Sequence, residues 1–289
     1  MLTLIDAGVK TKEAWEVLKS GLRQLGYGPE DVEQVVLTHH HPDHTGLVDE
    51  FPRAQYISGD EGLQPWLMRD ETYLQRYEQF FYDLFNQCSI PEEYHNALHG
   101  LRAPLVYSGI GELTTPLHEG ENLPGHPGWE VIETKGHAQT HLSFWRPQSG
   151  VLVGGDHLLH HISPNPLIEP GNPRPKPLLQ YRENVRKCVG LGVSQVLPGH
   201  GRCFSDVRET TDKQLKKQEE RADQVLKLLH QKALTPFDIC RAIFPRQYEK
   251  QLNLTMSETL GQIDFLEDQG LIQPLEDQKL IYQAIPVSQ

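Results

Sequence analysis

An α/β fold that carries its functional residues on strand-to-helix loops is what this 289-residue sequence predicts. Three observations lead there. Apolar runs such as Val35-Val36-Leu37 and Trp129-Glu130-Val131-Ile132-Glu133-Thr134 read as buried strands between helical stretches. Three further runs meet a turn with a histidine or aspartate, at Lys135-Gly136-His137, Val153-Gly154-Gly155-Asp156 and Leu197-Pro198-Gly199-His200-Gly201. Glycine there allows close backbone approach or positive φ. Finally, Thr38-His39-His40-His41-Pro42-Asp43-His44 follows a strand and precedes a short helix expected over Thr45–Phe51. Loops held by a rigid scaffold are where functional side chains concentrate.

The elements follow in order. Residues 1 to about 58 alternate strand and helix, ending in a strand at Ala54–Ile57. Residues about 60 to 112 read as a helical insertion rich in aromatics: Trp66, Tyr73, Tyr77, Phe80, Phe81, Tyr82 and Phe85. The α/β pattern resumes at Trp129 and runs through Leu197. Beyond Ser205 the character changes. Arg208–Gln231 reads as a long charged helix. Thr235 then caps a helix with Pro236 at its first position. A third helix opens at Thr255, continues through Leu266 and ends at Gly270. Leu280-Ile281-Tyr282, after a turn at Asp277, reads as a strand. Two domains are therefore expected, residues 1–204 and 205–289.

Composition narrows the class. The formal charge is −12, which suits a small substrate better than a polyanion. No apolar run approaches the roughly 20 residues of a membrane span. The N-terminus lacks the basic and apolar blocks of a signal peptide. Cys88, Cys188, Cys203 and Cys240 are scattered with no CxxC pair and read as reduced packing residues. Cytoplasm is the expected location, with no membrane partner.

The histidine loop carries the chemistry. Imidazole nitrogens and carboxylate oxygens suit zinc and related divalent ions. His39 and His41, two residues apart, can converge on one ion, while Asp43 and His44 can turn toward a second. His40, between two ligands, should point away. A metal site needs more ligands than one loop supplies, and His137, Asp156 and His200 are the candidates at the later turns.

With these motifs in this order, His-x-His-x-Asp-His, then His, Asp and His, the chain resembles the metallo-β-lactamase superfamily over roughly residues 1 to 205. The resemblance implies an αββα sandwich. It implies a first metal held by His39, His41 and His137, a second by Asp43, His44 and His200, and Asp156 bridging both. The segment Leu2–Gly8 is similar to the family's opening strand and turn, where Asp6 would support the site. Family members usually carry two or more strands before that segment, and this chain begins almost at it. True β-lactamases of the superfamily lack the bridging carboxylate and many use a cysteine ligand, so antibiotic hydrolysis is set aside.

The implied activity is that of a dinuclear metal-dependent hydrolase. A metal-bridging hydroxide would attack, with Asp156 orienting it and Asp43 binding the second ion. The cofactors are two divalent metal ions, zinc first, with iron or manganese also accepted by these ligands. A small ester or thioester is the first choice of substrate. The alternative is an endoribonuclease or phosphodiesterase of the lactamase-beta-like type. Iron-dependent sulfur oxidation and a non-catalytic metal-binding role are further readings. Inserted sequence after the first metal loop often shapes substrate choice, so Tyr73, Tyr77 or Tyr94 could line a lid, and the insertion also offers a homodimer surface. His141 could support a ligand, and one of His157, His160 and His161 could touch substrate. Three helices and a ribbon resemble the winged-helix tail of some members. Nucleic acid is nonetheless disfavoured, because residues 205–289 hold 11 Lys and Arg against 14 Asp and Glu. The would-be reading helix carries Glu258, Asp264, Glu267 and Asp268 and no basic residue.

Overall fold

The computed structural model describes residues 1–275 and 279–286. Strands β1 (Leu2–Ile5), β2 (Val32–Val36), β3 (Tyr56–Gly59) and β4 (Thr115–Pro116) form a parallel sheet in that order. A second sheet has the order β5 (Glu130–Glu133), β6 (Leu142–Arg146), β7 (Val151–Gly155) and β8 (Gln195–Pro198). Its first two pairs are antiparallel and β7–β8 is parallel. Helix α1 (Lys12–Gln24) connects β1 to β2, capped by the Thr11 side chain accepting from the Ala14 N–H at 3.1 Å. The short helices α2 (Pro42–Thr45) and α3 (Gln64–Leu67), the longer α4 (Glu71–Gln87) and the crossover helix α5 (Pro177–Gly190) follow.

Three buried clusters define the layers. Trp15, Leu18 and Leu22 of α1 pack on Val32 and Val35 of the first sheet. Between the sheets lie Ile5 and Val36 from one and Val131, Leu142, Phe144 and Val153 from the other. On the far side, Tyr181, Val185 and Cys188 of α5 cover Leu152 and Val196. This is the αββα arrangement expected from the sequence. Sandwiching explains the near-continuous apolar run of β2, since a parallel strand is covered on both faces.

Several boundaries differ from the sequence reading. The helix expected at Thr45–Phe51 starts earlier, at Pro42, and gives way to a 3-10 turn at Val48–Glu50. Proline pre-sets the helical φ and donates no N–H, so it favours the first helical position. Asp43 and His44 therefore sit inside the helix rather than ahead of it. The strand expected from Ala54 begins at Tyr56. Cys88, Cys188 and Cys240 are buried as packing residues, whereas Cys203 is exposed.

The C-terminal part consists of α6 (Val207–Gln231), α7 (Pro236–Ile243) and α8 (Leu252–Asp268), followed by an antiparallel ribbon of β9 (Ile272–Pro274) and β10 (Tyr282–Ala284). Thr235 and Pro236 start α7 as read from sequence, with the Thr235 hydroxyl accepting from the Asp238 N–H. Gly270 takes φ +66°, and the Leu271 N–H reaches back to the Leu266 carbonyl at 3.0 Å, which closes α8. Helix α8 starts at Leu252, three residues before the expected Thr255. The turn expected at Asp277 lies outside the described residues. Helix α8 is buried almost all round, the pattern of a central helix. Its Leu260 and Ile263 join Phe81 and Phe85 of α4 and Val225 and Leu229 of α6 in one core. Asp264 takes two bonds from Arg174, at 2.6 and 3.0 Å, and Glu267 pairs with Lys176 at 3.0 Å. Two acidic residues of this helix thus meet cations of the segment before α5. Among the described residues no helix is long and apolar enough to cross a membrane.

Candidate metal centre

The three turns that carry candidate ligands and the histidine loop converge between the two sheets' C-terminal ends. The loop after β2 brings His39 and His41, and the start of α2 brings Asp43 and His44. His137 follows β5, Asp156 follows β7 and His200 follows β8. All seven residues meet. The His41 Nδ1 lies 2.9 Å from His39 Nε2 and 3.0 Å from His137 Nε2. His200 Nε2 lies 3.1 Å from Asp43 Oδ2, and His44 Nε2 lies 3.8 Å from the same oxygen. Asp156 stands between the groups, with Oδ2 at 3.6 Å from His137 and 3.3 Å from His200, and Oδ1 at 3.4 Å from His44.

The arrangement fits divalent cations on its own chemistry. His39, His41 and His137 form one set of converging donor atoms, and Asp43, His44 and His200 another; His39, His44 and Asp156 join them. His44 Nε2 and Asp156 Oδ1 are buried and lack a hydrogen bond among the described residues. A buried polar atom without a partner is costly, and an ion would serve both. Burial pushes His39, His41 and His137 below the usual imidazole range, which leaves their ring nitrogens free to donate electron pairs. In the other set, hydrogen bonds that His200 donates to the Asp156 and Asp43 carboxylates raise it to about 10. Burial opposes charge on His44, yet Asp6 and Asp156 raise it to about 10 as well. A proton there occupies the place of a cation, so metal binding should release protons.

Supporting hydrogen bonds fix which nitrogen faces inward. Asp6 Oδ2 accepts from His44 Nδ1 at 2.7 Å and from the Thr38 hydroxyl at 2.9 Å. The Thr38 oxygen in turn lies 3.0 Å from His39 Nδ1. One carboxylate therefore orients a histidine of each set, directly or through a hydroxyl. Asp6 adopts φ +58°, a conformation Asp tolerates better than most residues. His137 Nδ1 faces the Asn165 carbonyl at 2.9 Å. His141 accepts the Asp156 N–H on Nε2 at 3.0 Å and faces the Thr134 hydroxyl with Nδ1 at 2.8 Å. It positions the Asp156 backbone. His40 turns away as expected, stacking on Trp66 at 4.4 Å with Nδ1 on the Thr140 hydroxyl.

Close approach demands glycine at one turn. A Cβ on Gly199 would stand 2.5 Å from Asp156 Oδ1 and 2.8 Å from His44 Cε1. Gly199→Ala should displace both side chains and lower metal content per chain, readable by elemental analysis. A misplacement near 1 Å at such a site costs about a hundredfold in rate.

A cavity of about 180 Å³ opens beside His41. Tyr77, Phe81 and Leu101 of the insertion form one wall, and Leu254 and Ser257 of α8 form another. Glu169 completes it. The Ile168 N–H on the Ser257 hydroxyl and the Asn165 side-chain amide on the Leu254 carbonyl, both at 3.2 Å, tie this loop to α8. Of the tyrosines read as lid candidates, Tyr77 lines the cavity. Tyr73 packs edge-on to Trp66, and Tyr94 packs on Phe237 and Tyr248. His157 is buried near Tyr181, and His160 stacks on Phe204 and bonds Asp206. Neither these nor His161 is among the residues that line the cavity.

Glu169 had no signal in the sequence and is the residue sequence reasoning missed. It is 5% exposed, and burial pushes its carboxyl up to about 7. An unfolded chain ionises glutamate near pH 4.3, so between about 4.3 and 7 the folded form keeps a proton that the unfolded form has lost. Stability contributed by this group is thus highest at acid pH and falls, by roughly 3 kcal/mol, as pH rises to about 7. Glu169→Gln should remove that fall, so the variant's gain over wild type in denaturant midpoint grows between pH 4.5 and pH 8.

Comparison with known proteins agrees with this geometry. The family model described as "Metallo-beta-lactamase superfamily" matches residues 2–200. The chain belongs to the metallo-beta-lactamase superfamily. Across 284 residues, 97% of this chain and 89% of the relative, it is 37% identical to "Probable metallo-hydrolase YqjP" of Bacillus subtilis. A solved metallo-beta-lactamase family protein from Thermus thermophilus superposes with a TM-score of 0.76 at 25% identity, covering 97% of this chain and 89% of that one. Similarity to "N-acyl homoserine lactonase AiiB" of Agrobacterium fabrum is 25% identity over 162 residues, 50% of this chain and 56% of the relative. The first two superfamily relatives extend through the C-terminal helices, beyond the matched family model.

Proposed function

We propose that this superfamily member is a dinuclear metal-dependent hydrolase acting on a small ester or thioester. The observation that carries the reading is Asp156, whose carboxylate reaches both donor sets at 3.3–3.6 Å. Divalent ions held there, zinc first and iron or manganese as alternatives, would acidify a bound water from about 16 to roughly 7 and polarise the scissile oxygen. Asp156, within 3.3–3.6 Å of both donor sets, would orient the proton of an attacking water. Asp43 and His200 form the exposed edge of the site. Asp6 and Asn165 keep the imidazoles facing inward. The apolar walls of the cavity and the net charge of −12 favour a small carbonyl substrate over a polyanion. Likeness to a lactonase over half the chain favours the same substrate class.

The test is metal content of the purified protein alongside hydrolysis rates for a thioester, a lactone, a phosphodiester and short RNA. About two metals per chain with carbonyl turnover is the expected result. Chelation should abolish turnover and lower the melting temperature, and added zinc should restore both. Turnover of RNA or the phosphodiester instead would overturn the substrate assignment. One iron per chain with no hydrolysis would overturn the reading itself.

A further inference from the structure

A carboxyl group is an unusual choice for the wall of a mainly apolar cavity whose other polar lining groups, His40, His41, Tyr77, Asn253 and Ser257, are not carboxylic acids. Glu169 is almost fully buried, and its Oε1 accepts the Gln139 N–H at 2.9 Å. Among the described residues no Lys, Arg or His pairs with it, and the charged group felt most strongly there is another acid, Asp60. Tyr73 and Tyr77 are its other titratable neighbours. Of the histidines bordering the cavity, His40 has its Nδ1 on the Thr140 hydroxyl, and His41 has its Nδ1 facing His39 and His137. Enclosing an acid without a partner costs free energy that Gln or Leu would avoid in a cavity meant for a neutral acyl chain. The aromatic side chains Tyr77 and Phe81, with ring centroids 4.9 Å apart, line the same space. Aromatic faces beside a carboxylate are the chemistry that recognises an ammonium ion. An overall charge of −12 would also draw cations toward the mouth.

We propose that the cavity beside His41 selects a substrate carrying a protonated amine, with Glu169 as its counter-charge and Tyr77 and Phe81 as its aromatic walls. The proposal rests on the hydrolase reading above and names the substrate class that reading leaves open. Glu169 takes no part in bond breaking; it determines specificity.

A matched pair of thioesters tests it with the metal-loaded enzyme: 6-aminohexanoyl and heptanoyl, which differ by ammonium against methyl. The wild type should prefer the amine in kcat/KM by about tenfold or more, and Glu169→Gln should shrink that ratio by about 10- to 100-fold. Tyr77→Leu should shrink it by roughly three- to fivefold. A wild-type ratio near or below one, or a ratio unmoved by Glu169→Gln, overturns the proposal while heptanoyl turnover leaves the hydrolase standing. When neither thioester turns over, hexylammonium binding measured by calorimetry decides. Saturable binding lost in Glu169→Gln supports the cavity's role, and absence of binding to the wild type overturns it.

Discussion

Asp156→Ala is expected to lower kcat/KM on a carbonyl substrate by at least about a thousandfold, because it removes charge stabilisation from both donor sets at once. Its carboxylate is the group that stands between His137 on one side and His44 and His200 on the other. Burial works against ionisation of Asp156, yet the hydrogen bond from His200 and the nearby His44 imidazole hold it well below the usual carboxylate range. Alanine would therefore leave two imidazoles that had been held by a negative charge. Elemental analysis should show metal lost from the set that contains Asp43, His44 and His200. Asp156→Asn keeps the shape and removes the charge, so it separates packing from electrostatics. Equal metal content and activity in Asp156→Asn and wild type would refute the assignment.

Asp6→Asn should weaken metal binding by about 10- to 100-fold although Asp6 belongs to neither donor set. The reason is that one oxygen serves two histidines, His44 directly and His39 through the Thr38 hydroxyl. An amide presents a single acceptor oxygen and an NH2 group that repels the Nδ1–H of His44. Thr38→Val cuts the branch to His39 alone, so its effect on affinity should be smaller. A chelator titration of the three proteins ranks them. Equal loss in Thr38→Val and Asp6→Asn would mean that the branch to His44 carries nothing.

The candidate metal ligands were legible in the sequence because side chains of distinctive chemistry recur at turns after apolar runs. His39, His41, Asp43 and His44 declare themselves by spacing, and His137, Asp156 and His200 by the glycine turns that carry them. The supporting partners were not legible in the same way. The Asn165 carbonyl that orients His137 is a backbone atom and carries no residue signature. His141 was a candidate by proximity, but its bond to the Asp156 N–H depends on how two strands align. Helix α2 begins at Pro42 because of a local rule that the histidine pattern obscured. The acidic residues on α8 read only as disfavouring nucleic acid, whereas Asp264 is buried against Arg174, 90 residues away in sequence. Glu169 illustrates the general limit, since a glutamate in an Ile-Glu-Pro segment looks like any surface loop until burial is known.

The walls of the cavity have an evolutionary consequence. One wall comes from the insertion at Tyr77, Phe81 and Leu101, and the facing wall from Leu254 and Ser257 of α8, far along the chain. Both belong to helices that share a single packed core. A substitution that reshapes one wall alters the seat of the other, so their effects should be non-additive. Adaptive drift toward a new substrate would then proceed by paired changes in distant stretches while the histidine loop stays fixed. Mutant libraries confined to the insertion would sample only half of that landscape.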